Sequence, residues 1–171
     1  MCESWSNNRQ VPDELVWKDI PEKHHGDYDF LMTVFDWEKN VDPDFVANRF
    51  MEPYETAASK AAGGDAYVEK WIVYKSPAFS AKELTVLPGA TVTIRDEDAY
   101  GAIVVQGHGT MGGLDIAAIT VARYGQLTED EVFVAAPTAR AGVKVTNRSA
   151  VEPLVMLKHF GPGNEELARH G

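Results

Sequence analysis

The chain has 171 residues, and its 26 acidic side chains outnumber its 16 basic ones, which gives a formal charge of −10. A hydrophobic fraction of 44% and a charged fraction of 25% are ordinary for a folded domain and exclude disorder over the whole length. The single cysteine excludes a disulfide framework and a cysteine-based zinc finger, and no apolar run reaches the roughly 18 residues of a membrane-spanning helix. The negative charge argues against a nucleic-acid partner, because phosphate binding needs clustered lysine and arginine.

The length fits one domain, with room for a small extension. The amino terminus lacks the basic and apolar segments of a signal peptide, so we expect a cytoplasmic protein without a membrane partner. Its first residues are more typical of the middle of a chain than of a start, which leaves open that this sequence is one half of a longer protein.

The first part of the chain, residues 1–64, is acidic, aromatic and irregular. The apolar run 30–35 has the length of a strand, and periodicity alone leaves a buried helical turn open. Asp42 and Pro43 indicate the cap and first position of a short helix over 45–50. Alanine and glycine over 57–64 predict a loop. We interpret residues 1–64 as an arm that packs on the rest of the chain.

From Ala66 onward the sequence predicts strands. They cover residues 67–75, 79–87, 91–94, 102–105, 116–122, 132–135, 143–145 and 154–157. Turn residues separate them at intervals of about 8–12 residues, and long helices do not intervene, which favours an antiparallel sandwich or barrel over a parallel sheet. Gly107 and Gly109 fit a tight hairpin, and Pro137 fits a strand end. The tail after Gly161 is predicted as a short polar helix or a frayed end.

Three short motifs follow one another in the predicted β region. They are Pro88-Gly89 with Val104-Val105-Gln106-Gly107-His108-Gly109, then Asp130-Glu131-Val132-Phe133-Val134 with Pro137, then Asn147 with Glu152-Pro153. In this order they resemble the cupin superfamily, over about residues 67–160. The resemblance implies a mostly-β double-stranded β-helix, or jelly-roll barrel, at 65–161, with little helix, an aromatic-rich arm at 1–64 and a C-terminal tail at 162–171. Such a barrel is filled by side chains or holds a ligand at its mouth.

The resemblance also implies a metal centre of histidines and a glutamate, from which this sequence departs. Aligned on the three motifs, the ligand positions fall on Arg95, Glu97, Tyr100 and Val143. None of these keeps its usual ligand, so we expect the histidine-based metal site to be lost.

A divalent metal remains possible with a different set of ligands. Glu97 with Asp96 or Asp98 would offer carboxylates, which suit magnesium, calcium or manganese. A solvated acidic loop is the simpler interpretation of these residues. His24-His25 and the pair Gln106 and His108 also contain metal-binding side-chain types, but exposed loop and hairpin positions are their simpler interpretations.

The predicted strands also carry side chains that could bind a small molecule. If a pocket opens at the barrel mouth, Arg95, Arg140 and Lys144 could meet an anionic sugar or a carboxylate there, with surface placement as the alternative. Trp71 could stack on a sugar ring, although core packing is usual for a tryptophan in a strand. Glu97 belongs to the same predicted substrate site.

Among cupins, the chain looks most similar to proteins related to phosphomannose isomerase, often built as two cupin halves. This implies a sugar or sugar-phosphate isomerase or epimerase of carbohydrate metabolism, with Tyr100 as the candidate catalytic acid and no evident base. The alternative is a non-catalytic module for binding a small, sugar-like molecule or for dimerisation. We therefore expect a homo-oligomer, or half of a longer two-cupin protein.

Overall fold

The computed structural model describes residues 5–6, 9–10, 12–119, 124–125 and 127–168. Contacts divide the chain into two units, residues 1–50 and residues 51–171. The boundary expected at residue 64, and an arm packed on the barrel, stay predictions. In the described part, no helix combines the length and hydrophobicity needed to cross a membrane.

The first unit consists of short elements without a buried core among its described side chains. They are β1 (Trp5–Ser6), β2 (Arg9–Gln10), α1 (Asp13–Trp17), a 3-10 turn (Glu22–His24), α2 (Tyr28–Met32), α3 (Trp37–Asn40) and α4 (Phe45–Arg49). The apolar run near Phe30 begins within a helix and not a strand, because the Asp27 carboxylate accepts a hydrogen bond from the Phe30 amide and caps α2. The buried turn that was left open is wrong in its burial, since no residue of α2 is buried. The helix predicted over 45–50 is confirmed as α4.

The second unit is mostly β. Its elements are β3 (Tyr54–Glu55), α5 (Ala57–Ala62), β4 (Tyr67–Val73), β5 (Ser80–Val86), β6 (Thr91–Ile94), β7 (Tyr100–Gln106), β8 (His108–Met111), β9 (Leu114–Ala117), β10 (Glu131–Val134), α6 (Ala136–Ala141), β11 (Val143–Asn147), β12 (Leu154–Phe160) and α7 (Glu165–Ala168). The predicted strands therefore recur in the structure, most with shifts of a few residues at their ends. The last residues of the strand predicted over 116–122 lie outside the described residues.

The strands of this unit form two antiparallel sheets. One has the order β10-β7-β12-β5-β4-β3 and the other has the order β6-β11-β8-β9. Numbered from β5 onward, eight strands follow the orders 1-8-3-6 and 2-7-4-5. This alternation between two sheets is the jelly-roll arrangement, so the predicted fold class is confirmed.

The apolar core lies between the two sheets. Leu84, Val86, Leu154 and Met156 of the larger sheet are fully buried, as is Val145 of the smaller one. Buried residues alternate with more exposed ones along β6 and β11, because successive side chains of a strand point to opposite faces. The same alternation carries charged side chains into the interior, as described below.

Two helices, α5 and α6, form where the sequence predicted a loop and a strand end. The loop predicted over 57–64 is wrong, because Thr56 Oγ1 accepts a hydrogen bond from the Ser59 amide at 3.2 Å and caps α5. Gly63 ends this helix at a φ of 77°. Pro137 lies in the first turn of α6, not at a strand end, and its missing amide proton costs no helical bond there.

The tight hairpin predicted at Gly107 and Gly109 is also wrong. At Gly107 the chain leaves β7 in the larger sheet and enters β8 in the smaller one. The two-residue hairpin follows at Gly112 and Gly113, where φ values of 59° and 93° suit the turn that joins β8 to β9. Gly107 is needed for another reason, since a Cβ there would lie 2.5 Å from the carbonyl oxygen of Pro153.

Candidate functional site

Two lysines lie in the interior of the jelly roll. Lys82 on β5 pairs in register with Lys158 on β12, and their side chains are 1% and 0% exposed. Each follows the alternation of its strand, in phase with Leu84 and with Met156. Burial of an ammonium group is costly unless it is paired, so these lysines require carboxylates beside them.

Two buried carboxylates bridge the lysines. Asp96 follows β6 in phase with Ile94; its Oδ1 lies 2.9 Å from Lys82 Nζ and its Oδ2 lies 2.6 Å from Lys158 Nζ. Glu69 on β4 places Oε1 at 2.5 Å from Lys158 Nζ and Oε2 at 3.6 Å from Lys82 Nζ. Each carboxylate therefore contacts both ammonium groups.

A third carboxylate reaches Lys82 from the C-terminal segment. Glu166 of α7 places Oε2 at 2.6 Å from Lys82 Nζ, and its side chain is 23% exposed, whereas those of Glu69 and Asp96 are 3% and 0% exposed. We call the five residues Glu69, Lys82, Asp96, Lys158 and Glu166 the ion cluster. Three carboxylates and two ammonium groups leave it with one net negative charge.

Two members of the ion cluster, Lys82 and Asp96, have pKa values that their partners shift towards the ionised form. Burial by itself would lower the pKa of Lys82, but Glu69, Asp96 and Glu166 outweigh it and raise that pKa above its usual range. Burial would raise the pKa of Asp96, but the ammonium groups of Lys158 and Lys82 hold it below the ordinary value of 3.8. Both groups are therefore charged at neutral pH.

Aromatic rings enclose the ammonium groups. Lys82 Nζ lies 4.6 Å from the ring centre of Trp71, and Lys158 Nζ lies 4.9 Å from that of Tyr100. Phe160 approaches both, at 5.4 and 5.8 Å. The faces of aromatic rings attract cations, and this attraction replaces part of the hydration that the ammonium groups lose on burial.

The hydroxyl group of Tyr100 is buried without a hydrogen-bond partner. Burial, together with the nearby charges of Asp96 and Glu69, raises the pKa of this phenol. The phenol is therefore protonated over the physiological pH range, and its hydroxyl is a buried polar group without a hydrogen bond.

A cavity of about 510 Å³ opens beside the ion cluster. It is lined by Ala57, Ala58, Arg95, Asp96, Glu97, Arg140 and Glu166. Asp96 and Glu166 belong to both the cavity wall and the ion cluster, so the cavity adjoins the buried charges. Arg140 is positioned by a 2.7 Å hydrogen bond from its Nε to the carbonyl oxygen of Glu97. We call this space the charged cavity.

The structure brings together only part of the predicted site. Arg95, Glu97 and Arg140 line the charged cavity. Lys144 is exposed on β11 and is not among the lining residues. Trp71 and Tyr100 are each 1% exposed and lie among the core side chains instead.

Sequence reasoning missed the lysines of the ion cluster, although a signal was present. Lys82 shares the two-residue period of Leu84 and Val86, and Lys158 lies between Met156 and Phe160 in the same period.

The interpretation of the acidic residues after β6 as a solvated loop is wrong at Asp96. This residue is 3% exposed and paired with both lysines. The two-residue period of Val92 and Ile94 continues to Asp96, whereas Arg95 is exposed.

The residues present do not fit the metal ion that the fold family implies. The buried carboxylates in this region, Asp96 and Glu69, contact two ammonium groups at 2.5 to 3.6 Å. A divalent cation would have to displace or neutralise both lysines before it could use these oxygens. Lys82 and Lys158 supply the positive charge at this place themselves.

No protein-family model matches the sequence, and a search of curated proteins finds no match. Solved structures with similarity include a Lactobacillus farciminis oxalate decarboxylase in complex with formate, at 20% identity over 66% of this chain and 31% of that one, with a TM-score of 0.43. A cupin 2 domain-containing protein from Halorhodospira halophila matches at 24% identity over 62% and 77% of the two chains, with a TM-score of 0.39. An RmlC-like cupin from Ralstonia eutropha matches at 11% identity over 64% of each chain, with a TM-score of 0.41.

The fold is a jelly roll, the arrangement that the cupin-like sequence motifs imply. The strand order of the two sheets carries this assignment, in agreement with the sequence motifs. Two of these three matches span less than two thirds of the matched protein. Function in this chain therefore has to be argued from its own site.

Proposed function

We propose that this chain is a non-catalytic module that binds a small anionic, sugar-like molecule in the charged cavity. The observation that carries the proposal is the position of Arg95 and Arg140 in one cavity whose wall includes Asp96 and Glu166 of the ion cluster. Guanidinium groups bind carboxylates and phosphates through paired hydrogen bonds.

The other lining groups extend the chemistry beyond simple anion binding. Glu97 also lines the cavity, and a carboxylate accepts hydrogen bonds from hydroxyl groups, so it complements the polyhydroxylated part of a sugar acid or sugar phosphate. A volume of about 510 Å³ falls within the range usual for small-molecule sites. Mixed charges on the wall favour a ligand with one anionic end and several neutral polar groups.

A binding role accounts for the arrangement better than catalysis does. Both buried lysines are paired with carboxylates, and those carboxylates raise the pKa of Lys82, so Lys82 does not serve as a base or nucleophile. Tyr100 is absent from the residues that line the charged cavity. Ligand binding, unlike catalysis by Tyr100, needs only the side chains that line the charged cavity.

Calorimetric titration of the full chain tests the proposal, with gluconate, glucose 6-phosphate and uncharged glucose as probes. We expect the two anions to bind and glucose to bind at least tenfold more weakly. Arg95→Met and Arg140→Met should each weaken anion binding by about tenfold or more. Lys144→Met is the matched control, since it removes an exposed cation outside the cavity lining. Absence of binding, or equal binding by all three variants, would overturn the proposal.

The buried hydroxyl of Tyr100 favours a second candidate, a sugar or sugar-phosphate isomerase or epimerase. The phenol is protonated and has no hydrogen-bond partner, so it is able to donate a hydrogen bond to a substrate oxygen that reaches it. Interconversion of hexoses and hexose phosphates, assayed with and without manganese, zinc or magnesium, tests this role. Turnover that is lost in Tyr100→Phe would support it, and no turnover under any condition would count against it.

The homo-oligomer and the cytoplasmic location expected from the sequence are parts of the same proposal. Light scattering of the purified chain, and of a variant without residues 1–50, measures the oligomeric state. A larger mass for the full chain than for the shortened one would assign assembly to the first unit, and a monomer in both cases would remove the assembly role.

A further inference from the structure

Glu166 carries the one negative charge of the ion cluster that no lysine charge balances. Glu69 and Asp96 each contact Lys82 and Lys158, so these four residues already balance two negative charges against two positive ones. Glu166 contacts Lys82 alone among the described cations. Its removal leaves the cluster neutral, with one Lys82 donor free.

Glu166 is also the member of the cluster with access to a ligand. It lines the charged cavity together with Asp96, and its side chain is 23% exposed. Lys82, which it contacts at 2.6 Å, is almost completely buried and is not among the lining residues. The Glu166 carboxylate therefore lies between the cavity and the Lys82 ammonium group.

The segment that presents Glu166 is short and locally held. It follows Gly161-Pro162-Gly163, and Asn164 Oδ1 accepts a hydrogen bond from the Glu166 amide at 2.9 Å. The Leu167 amide donates to the Asn164 carbonyl at 3.1 Å, and the Leu167 side chain packs against the core. A few local contacts, unlike a sheet ladder, fix the position of this carboxylate.

We propose that Glu166 occupies the place of the ligand's own anionic group, and that a carboxylate or phosphate entering the charged cavity replaces it on Lys82 and releases residues 164–168. The inference rests on the proposed function and adds the place where the ligand's anionic group binds and the side chain that competes with it there. No bond is made or broken, because one oxyanion exchanges for another on the same ammonium group.

Titration of the full chain with inorganic phosphate tests the exchange. Glu166→Gln keeps the size of the side chain but removes its charge, so we expect it to bind phosphate about tenfold more tightly than the unaltered chain. Glu131→Gln is the matched control, since it removes the same charge from an exposed position on β10. Hydrogen exchange adds a readout that a purely electrostatic effect leaves unchanged: the amides of 164–168 should exchange faster when phosphate is bound.

The outcomes separate this inference from the proposed function. Tighter binding by Glu166→Gln, together with faster exchange over 164–168, supports the replacement. Equal affinities of Glu166→Gln and the unaltered chain, or unchanged exchange, overturn it while leaving the cavity as a binding site. If neither protein binds phosphate, gluconate or glucose 6-phosphate, both proposals are wrong.

Discussion

Lys82 and Lys158 lie directly opposite each other on neighbouring antiparallel strands, and both side chains point into the jelly roll. Like charges in such a cross-strand pair repel each other. Here the repulsion is offset because Asp96 and Glu69 each contact both ammonium groups. The stability of the interior therefore depends on keeping this set of charges complete.

Removal of one lysine should be strongly destabilising. Lys158→Met leaves Asp96 and Glu69 buried with a single ammonium group between them, and we expect the free energy of unfolding to fall by about 3–5 kcal/mol. Urea denaturation measures the change, and Lys144→Met provides an exposed control that should stay within about 0.5 kcal/mol. A loss below about 1 kcal/mol for Lys158→Met would contradict the paired arrangement.

Acid should remove the contribution of Asp96. Its pKa is held below the ordinary value of 3.8 in the folded chain, so the unfolded state takes up this proton first as the pH falls. The stabilisation is fully present above the unfolded pKa and is lost as the pH falls through the folded one. The difference in unfolding free energy between the unaltered chain and Asp96→Asn, measured in urea, should therefore be constant from pH 7 to about pH 5 and shrink below the ordinary value of 3.8. A difference in unfolding free energy that grows as the pH falls would show that the pKa of Asp96 is not lowered in the folded chain.

Thr56 links a helix cap to the ion cluster. Its Oγ1 accepts from the Ser59 amide at 3.2 Å and donates to Glu69 Oε2 at 3.4 Å. Thr56→Val keeps the shape and removes both bonds, and we expect a loss of about 1–2 kcal/mol in thermal or urea unfolding. Thr128→Val, at an exposed position, should change little. Equal effects of the two variants would exclude the capping role.

A comparison of Gly107 with Gly89 separates the cost of backbone strain from the cost of steric overlap. Both have positive φ, 78° and 71°, but a Cβ has open space at Gly89 and would lie 2.5 Å from the Pro153 oxygen at Gly107. We expect Gly89→Ala to lose about 1–2 kcal/mol of unfolding free energy and Gly107→Ala to lose more than about 3 kcal/mol. Similar losses in urea denaturation would show that the overlap is relieved by backbone movement.

Tyr100→Phe distinguishes a structural hydroxyl from a functional one. Because the hydroxyl is buried without a partner, its removal should change the free energy of unfolding by less than about 1 kcal/mol, in either direction. A thermal melt measures this. A loss above about 2 kcal/mol would mean that the hydroxyl makes a contact that stabilises the fold.

The strand pattern was readable from the sequence because apolar residues mark the inner face directly. Thr91-Val92-Thr93-Ile94 alternates polar and apolar residues, and the predicted strand coincides with β6. The helix α5 was not predicted, since Ala and Gly in a short segment are equally typical of a loop. Its decisive contact is the hydrogen bond of Thr56, which is visible only in three dimensions.

The candidate site was predictable in part. Arg95 and Arg140 are 45 positions apart and line one cavity, and both were among the predicted substrate-binding residues. Glu166 lies in the C-terminal tail, where nothing in the sequence indicates a contact with β5. The pairing of Lys82 with Asp96 depends on how two sheets face each other, which local periodicity does not specify.

The ion cluster has a consequence for how the chain reaches its native state. Lys82 and Lys158 come from strands that are far apart in sequence, and Asp96 joins them after a separate strand of the opposite sheet. Until these distant segments have come together, each of the charges keeps its water shell and opposes collapse of the interior. Refolding should therefore be slow for the size of the domain, and its rate-limiting step should coincide with the closing of the two sheets on each other.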